Sequence, residues 1–215
     1  IRMKWIDLAH LLNSETPPYP GDPRPVLRQT RMLERDGYNA YELHTGLHAG
    51  THVDLPMHLL DDPRTADRFA PELFCGRGKL LDLRGQREIG WSARYEDIVE
   101  AGDVVLLWTG FDALFHSAPD RYFSEHPVLT PQFAQQLAMR GVKMLGMDFP
   151  SPDQPPHALH RTLLGAGVLL LENLTGLYKI GRVSGFAVLA LPLKLAAEAS
   201  PVRAVAVLDE SGADA

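Results

Sequence analysis

Four of the nine histidines in this chain fall within the fifteen residues His44–His58, and the residues between them decide what chemistry that clustering can do. The stretch reads His44-Thr-Gly-Leu-His48-Ala-Gly-Thr-His52-Val-Asp54-Leu-Pro-Met-His58. As a helix it would put His48 and His52 on one face but point Asp54 away. Gly50, Thr51, Val53 and Pro56 also disfavour a helix. As an extended chain, with its period of two, one face carries His44, Gly46, His48, Gly50, His52, Asp54, Pro56 and His58. The other face carries Leu47, Ala49, Thr51, Val53, Leu55 and Met57. The spacing therefore predicts a strand that buries its apolar face and turns imidazoles and a carboxylate into a cavity. Gly50 would leave room for an ion, and Pro56 would end or bend the strand.

Imidazole nitrogen and carboxylate oxygen suit Zn²⁺, Mn²⁺ or Fe²⁺. The single cysteine, Cys75, stands apart, whereas closed structural zinc sites usually use thiolates. An open, catalytic metal site is the expectation, set against the blander reading of a polar strand face with solvated histidines. Further ligands have to come from elsewhere. Pro155-Pro-His157-Ala-Leu-His160-Arg161 supplies a second histidine cluster, and Glu172 closes the apolar run Val168–Leu171. A carboxylate at the end of a buried strand needs a partner, which a metal would provide. Taken alone, Glu172 reads as a strand end in solvent, His160 as a surface or capping histidine, and Asp148 as a turn residue in Asp-Phe-Pro-Ser.

Those side chains must be placed by a strand-rich frame. Strands are expected at Trp5–Leu12, Val26–Leu33, Tyr41–Leu47, Lys79–Leu83, Asp103–Thr109, Val142–Asp148, Val168–Glu172, Val183–Leu191 and Val202–Leu208. Helices are expected at Ser92–Glu100, at Thr130–Arg140 with caps at both ends, and at Gln154–Leu164. Strands and helices do not alternate regularly, so a mixed α/β or α+β domain is predicted rather than a doubly wound one. The loops Asn13–Pro25 and Asp61–Pro71 flank the histidine segment and are long enough to line a site.

A length of 215 residues suits one domain spanning 1–215, and 45% hydrophobic with 22% charged residues is ordinary for a globular chain. The formal net charge of -6, with no Lys/Arg cluster, argues against nucleic acid as a partner. One cysteine cannot make an internal disulfide. The start lacks a signal-peptide pattern, and no apolar run approaches the ~20 residues of a membrane span. A cytoplasmic location is the default expectation.

The segment His-x-Gly-Thr-His-x-Asp-x-Pro-x-His resembles the signature of the cyclase family of metal-dependent hydrolases, which includes bacterial kynurenine formamidase and isatin hydrolase. Thr16-Pro-Pro-Tyr-Pro-Gly-Asp22 is similar to the family's N-terminal loop, and Gly146-Met-Asp-Phe-Pro-Ser151 to its Gly-x-Asp-x-Pro-Ser stretch. His160 and Glu172-Asn-Leu174 fall where the family carries later ligands. Leu191-Pro-Leu-Lys194 and Ser200-Pro-Val-Arg-Ala204 look like its C-terminal strands, those of the formamidase branch in particular.

The resemblance implies a swivelling α/β fold, with a strand-rich mixed sheet and flanking helices. It implies that His48, His52 and Asp54 hold a first metal, that Asp54 and Glu172 bridge to a second, that His160 completes it, and that His58 is the proton shuttle. Two Zn²⁺ per subunit are implied, with Mn²⁺ as the alternative, and a dimer or tetramer. The implied reaction is hydrolysis of N-formyl-L-kynurenine to L-kynurenine and formate, in tryptophan degradation. A metal would lower the pKa of bound water from 15.7 toward about 7, and His58 would protonate the leaving amine.

Two departures bear on the substrate. Tyr19 stands where such formamidases carry tryptophan in the pocket loop, and His48-Ala-Gly-Thr-His52 replaces His-Thr-Gly-Ala-His. Ring opening of isatin or another cyclic amide or lactone is therefore the alternative. A metal-holding protein without catalysis is the alternative of another class. Tyr19 is the expected substrate wall. Phe69, Phe74 and Trp108 are further aromatic candidates, each more simply read as core or surface.

Overall fold

A computed structural model of the chain describes residues 3–181 and 185–209. Its strands are β1 (Met3–Asp7), β2 (Val26–Arg31), β3 (Ala40–His44), β4 (His52–Asp54), β5 (Cys75–Asp82), β6 (Glu88–Ile89), β7 (Val104–Trp108), β8 (Val128–Leu129), β9 (Met144–Met147), β10 (Leu169–Glu172), β11 (Phe186–Leu189), β12 (Ala199–Pro201) and β13 (Val205–Asp209). The helices are α1 (Leu33–Asp36), α2 (Leu114–Ser117), α3 (Pro119–Ser124), α4 (Pro131–Met139) and α5 (Ala158–Gly165).

Nine strands form one mixed sheet in the order β1-β13-β11-β5-β7-β9-β10-β4-β12. At its centre β5, β7, β9 and β10 run parallel. These strands are apolar on both faces, as strands of a two-sided parallel sheet are. Val104, Leu106, Met144, Leu169 and Leu171 pack into one core with β1, β4, β11 and β13. Val105, Leu107, Leu145, Met147 and Leu170 pack into the other, covered by Phe133 and Leu137 of α4 and by Leu163 and Leu164 of α5. This is the strand-rich mixed sheet with flanking helices that the resemblance implies, and it agrees with the mixed α/β domain expected from the residue pattern. Gly146 is tightly boxed in β9, where an added Cβ would meet Leu106 at 2.5 Å and Leu174 at 2.9 Å.

Several expectations need correction. The segment 92–100 is not a regular helix. It holds one 3₁₀ turn, Ala93–Tyr95, and Ser92 makes no capping hydrogen bond. With only Tyr95 and Val99 buried beneath it, there is too little apolar stripe to offset helix nucleation. The helix expected from Gln154 starts only at Ala158, because His157 sits at φ 61 in the left-handed region. Helices α2 and α3 were not anticipated. They carry Phe115, Tyr122 and Phe123, a separate apolar cluster that Tyr19 packs against. Of the strand expected over Val183–Leu191, residues 183–184 lie outside the described residues, and β11 covers Phe186–Leu189. The β2–β3 hairpin pairs with itself and not with the main sheet.

Candidate metal centre

The centre of the site is where β4 and β10 pair antiparallel, with His52 directly opposite Glu172. Residues opposite each other project to the same face, and Asp54 joins them two positions along β4. His52, Asp54 and Glu172 are all buried, at 2%, 1% and 5% exposure. Val53 and Leu55 point the other way into the core. For these residues the period-two reading holds.

It does not hold along all of His44–His58. His44 ends the detached hairpin strand β3 and does not line the cavity. Residues 47–51 turn rather than extend, and Gly50 takes φ 66, a left-handed conformation that glycine accepts without strain. That conformation, not space for an ion, is the reason for glycine there. Its missing side chain faces Thr16 and Leu12. His48 reaches the site from this turn. His58 reaches it from the 3₁₀ turn Pro56–His58, which Pro56 opens.

The ligand-type atoms converge closely. His48 Nδ1 lies 2.9 Å from Asp54 Oδ1, and His52 Nε2 lies 3.3 Å from the same oxygen. Glu172 divides its two oxygens: Oε2 is 3.5 Å from His52 Nε2, and Oε1 is 3.3 Å from His160 Nε2. Glu172 thus stands between the first histidine group and His160, which α5 delivers. The His58 ring lies 4.3 Å from His48 and 6.2 Å from His160 by centroid. The Arg161 guanidinium donates to the Leu59 carbonyl, tying α5 to the turn that carries His58.

The outer atoms are also assigned. His52 Nδ1 is 2.9 Å from the Gly50 carbonyl, which also accepts from Asn173 Nδ2 at 2.9 Å. Tyr122 donates to Asn173 Oδ1 at 2.9 Å, and the Thr51 hydroxyl donates to the Asn173 carbonyl at 2.6 Å. Asn173 itself takes φ 56, so a strained residue clamps the turn between His48 and His52 to the end of β10. His48 Nε2 faces Glu198 Oε1 at 3.4 Å, and His160 Nδ1 faces Asp153 Oδ1 at 2.6 Å.

Electrostatically the site calls for positive charge. Burial opposes ionisation of Asp54, but His52 and His48 hold it well below the usual carboxylate range. Burial and the Asp54 charge push Glu172 up. Against burial, Asp54 with Glu172 and Glu198 raises His48 to about 9, while Asp153 and Glu172 raise His160 to about 10. His58 moves the other way. Burial, and then the neighbouring His48, His160 and His52, lower it against the pull of Asp54.

Two buried oxygens, Asp54 Oδ1 and Glu172 Oε1, accept no well-aligned hydrogen bond, although imidazole nitrogens stand 2.9 to 3.3 Å from them. A buried carboxylate oxygen left this way is costly unless a cation meets it. His52, Asp54 and Glu172 can bring three ligand atoms within 4.8 Å of one another, as can His48, Asp54 and His58. Nitrogen and oxygen donors with orphaned carboxylate oxygens between them fit a divalent transition metal ion.

The cavity above these atoms has a volume of about 260 Å³ and is open on one side. Tyr19 lines it and meets Phe123 edge-to-face at 5.6 Å. Phe123 was not foreseen, because α2 and α3 were not. Asp22, Ser151 and His157 also line it. Phe74 is core, and Phe69 and Trp108 pack against that core, so none of the three lines this cavity. Asp148 is fully buried and accepts from the Thr109 and Gly110 amides and the Thr109 hydroxyl, so it fixes the turn after β7.

Comparison with known proteins places the chain. A family model described as "Putative cyclase" matches residues 6–154. The kynurenine formamidase of Bacillus cytotoxicus is 29% identical over 209 residues, covering 94% of this chain and 96% of that one. Isatin hydrolase A from Labrenzia aggregata superposes with a TM-score of 0.85 at 21% identity, over 97% of this chain and 94% of that one. A structure described as a predicted metal-dependent hydrolase from Bacillus stearothermophilus superposes with a TM-score of 0.79 at 25% identity, over 96% and 99%.

Proposed function

The chain belongs to the cyclase family, and on that premise we propose that it is a metal-dependent hydrolase of carbon–nitrogen bonds that converts N-formyl-L-kynurenine and water to L-kynurenine and formate. The observation that carries the reading is the pair of orphaned, buried oxygens of Asp54 and Glu172, set among His48, His52 and His160. His48, His52 and Asp54 would hold one ion; Asp54, Glu172 and His160 would hold a second. Zn²⁺ is the proposed metal and Mn²⁺ the alternative. Bound divalent ions would supply an activated water at neutral pH and polarise the carbonyl oxygen.

The chain's own groups do the rest. Tyr19 and Phe123 form an aromatic wall against which a substrate ring can lie. His58, whose pKa is depressed mainly by burial, is a neutral imidazole at the cavity, able to take a proton and return it to the leaving nitrogen. Metal-free protein reconstituted separately with Zn²⁺ and Mn²⁺ should hydrolyse N-formylkynurenine, followed by kynurenine absorbance. No turnover with either ion would reject this substrate.

One observation favours the isatin-type alternative. Among the described residues lining the cavity there is no Lys or Arg to pair with the carboxylate of an amino-acid substrate, although Asp22 could meet its ammonium group. Isatin belongs in the same assay, and turnover of isatin alone would move the reading to cyclic amides.

A homodimer or tetramer is also proposed. The β2–β3 hairpin has no buried residue and presents Leu27, Tyr41 and Leu43 to solvent. Isolated hairpins are marginal in water, so a second copy is the natural cover. Light scattering should give at least twice the 23.8 kDa of one chain; a monomer mass rejects the proposal. Among the described residues, no helix is long and apolar enough to cross a membrane.

A further inference from the structure

We propose that Asp153 is a positioning residue: it fixes the tautomer and direction of His160 and thereby sets how tightly the second ion is held. The inference rests on the two-ion reading above.

Three buried carboxylates surround the site, and they differ in what their oxygens do. Asp54 and Glu172 each leave one oxygen without a hydrogen bond. Asp153, at 7% exposure, has both oxygens engaged. Its Oδ1 lies 2.6 Å from His160 Nδ1, and its Oδ2 accepts from the Leu159 amide at 2.6 Å. A carboxylate with both oxygens engaged this way is not a free metal ligand, although Asp153, His157 and His160 also cluster within ligand range. It is instead the outer partner of an imidazole. With Nδ1–H bonded to Asp153, Nε2 is the nitrogen left to offer its lone pair to an ion, and it lies 3.3 Å from Oε1 of Glu172.

Asp153 aims the helix as well as the ring. His157, at the N-terminus of α5, makes no side-chain cap, so the first amides of that helix need a partner from outside. Asp153 Oδ2 supplies one at Leu159, a single residue before His160. Asp153 is itself held in place: the Ser151 hydroxyl donates to its carbonyl at 2.5 Å, and its amide donates back to Ser151 Oγ at 3.3 Å. His52 has a weaker arrangement, since its outer nitrogen faces a neutral carbonyl. A carboxylate partner makes the ligand more basic and orients it more firmly.

The test is Asp153→Asn, titrated metal-free with Zn²⁺ against a competing chelator. An amide can accept at only one oxygen, so one of the two N–H groups loses its partner. The first ion should bind as in the unsubstituted protein, and the second about 10- to 100-fold more weakly. In a His160→Ala background, Asp153→Asn should add no further loss at the second ion. Equal weakening of both ions, or additive losses in the double variant, would overturn the inference by assigning Asp153 to the helix alone.

A readout independent of the variant's folding is ¹⁵N NMR of the zinc-loaded, unsubstituted protein. A slowly exchanging proton on His160 Nδ1 is expected, and an unprotonated Nδ1 overturns the proposal. If the unsubstituted protein takes up one ion and leaves His160 free, the two-ion reading fails and carries the inference with it. Two ions, with no change in the variant, sink the inference alone.

Discussion

Asp54→Asn is expected to leave a folded protein with little bound metal and almost no hydrolase activity. The amide has nearly the volume of the carboxylate, and Asp54 is 1% exposed, so packing changes little. What changes is charge. Asp54 Oδ1 is the atom on which His48 and His52 both converge, at 2.9 and 3.3 Å. It is also one of the two buried oxygens that no hydrogen bond satisfies. A neutral amide removes the anion facing the cation and places a poorer ligand at the shared corner of both proposed ion positions. The expected loss in kcat/KM is on the order of 10⁴-fold, equivalent to about 5.5 kcal/mol of transition-state stabilisation. Metal analysis after dialysis, beside a circular dichroism spectrum, checks it. An unchanged metal content in a folded variant would remove Asp54 from the ligand set.

The residues that made this site readable in the sequence were those whose roles depend on local spacing. His52, Val53 and Asp54 form a real strand, so alternation placed both ligand candidates on one face and Val53 in the core. Glu172 reads on its own as a strand end in solvent and as a ligand through the family resemblance; the structure buries it opposite His52, where an unpaired carboxylate is costly. His48 and His58 line the same cavity but do not belong to one strand with His52 and Asp54. A period-two pattern cannot see that Gly50 takes a positive φ, or that Pro56 opens a 3₁₀ turn. His44 was counted by the same pattern and falls outside.

What stayed hidden depends on contacts distant in sequence. The Tyr122 hydroxyl meets Asn173 across 51 residues, and Thr51 meets Asn173 across 122. No composition or periodicity encodes such a pair. Phe123 was missed because α2 and α3, of four and six residues, are too short to show a helical repeat. Asp153 lies only seven residues from His160. A carboxylate shortly before a proposed histidine ligand could have been flagged as its outer partner. The signal was obscured by Pro155 and Pro156, which place the turn between them.

His58→Ala separates a catalyst from a metal holder. The His58 ring stands 4.3 Å from that of His48, but its pKa is pushed down, mainly by burial, while those of His48 and His160 are pushed up by the carboxylates beside them. The carboxylates therefore engage His48 and His160 and leave His58 as the imidazole free to exchange protons. Removing it should leave metal content and KM close to the unsubstituted values and lower kcat by about 10²- to 10⁴-fold, the usual contribution of a general acid–base. His58 sits on a short turn with its ring half-buried, so truncation should leave the core intact. Loss of metal together with activity would make His58 a ligand, completing the group with His48 and Asp54. Full activity with full metal would assign proton transfer elsewhere, with His157, which also lines the cavity, as the next residue to replace. A large fall in kcat at constant metal content is the result that a protein which only holds metal could not produce.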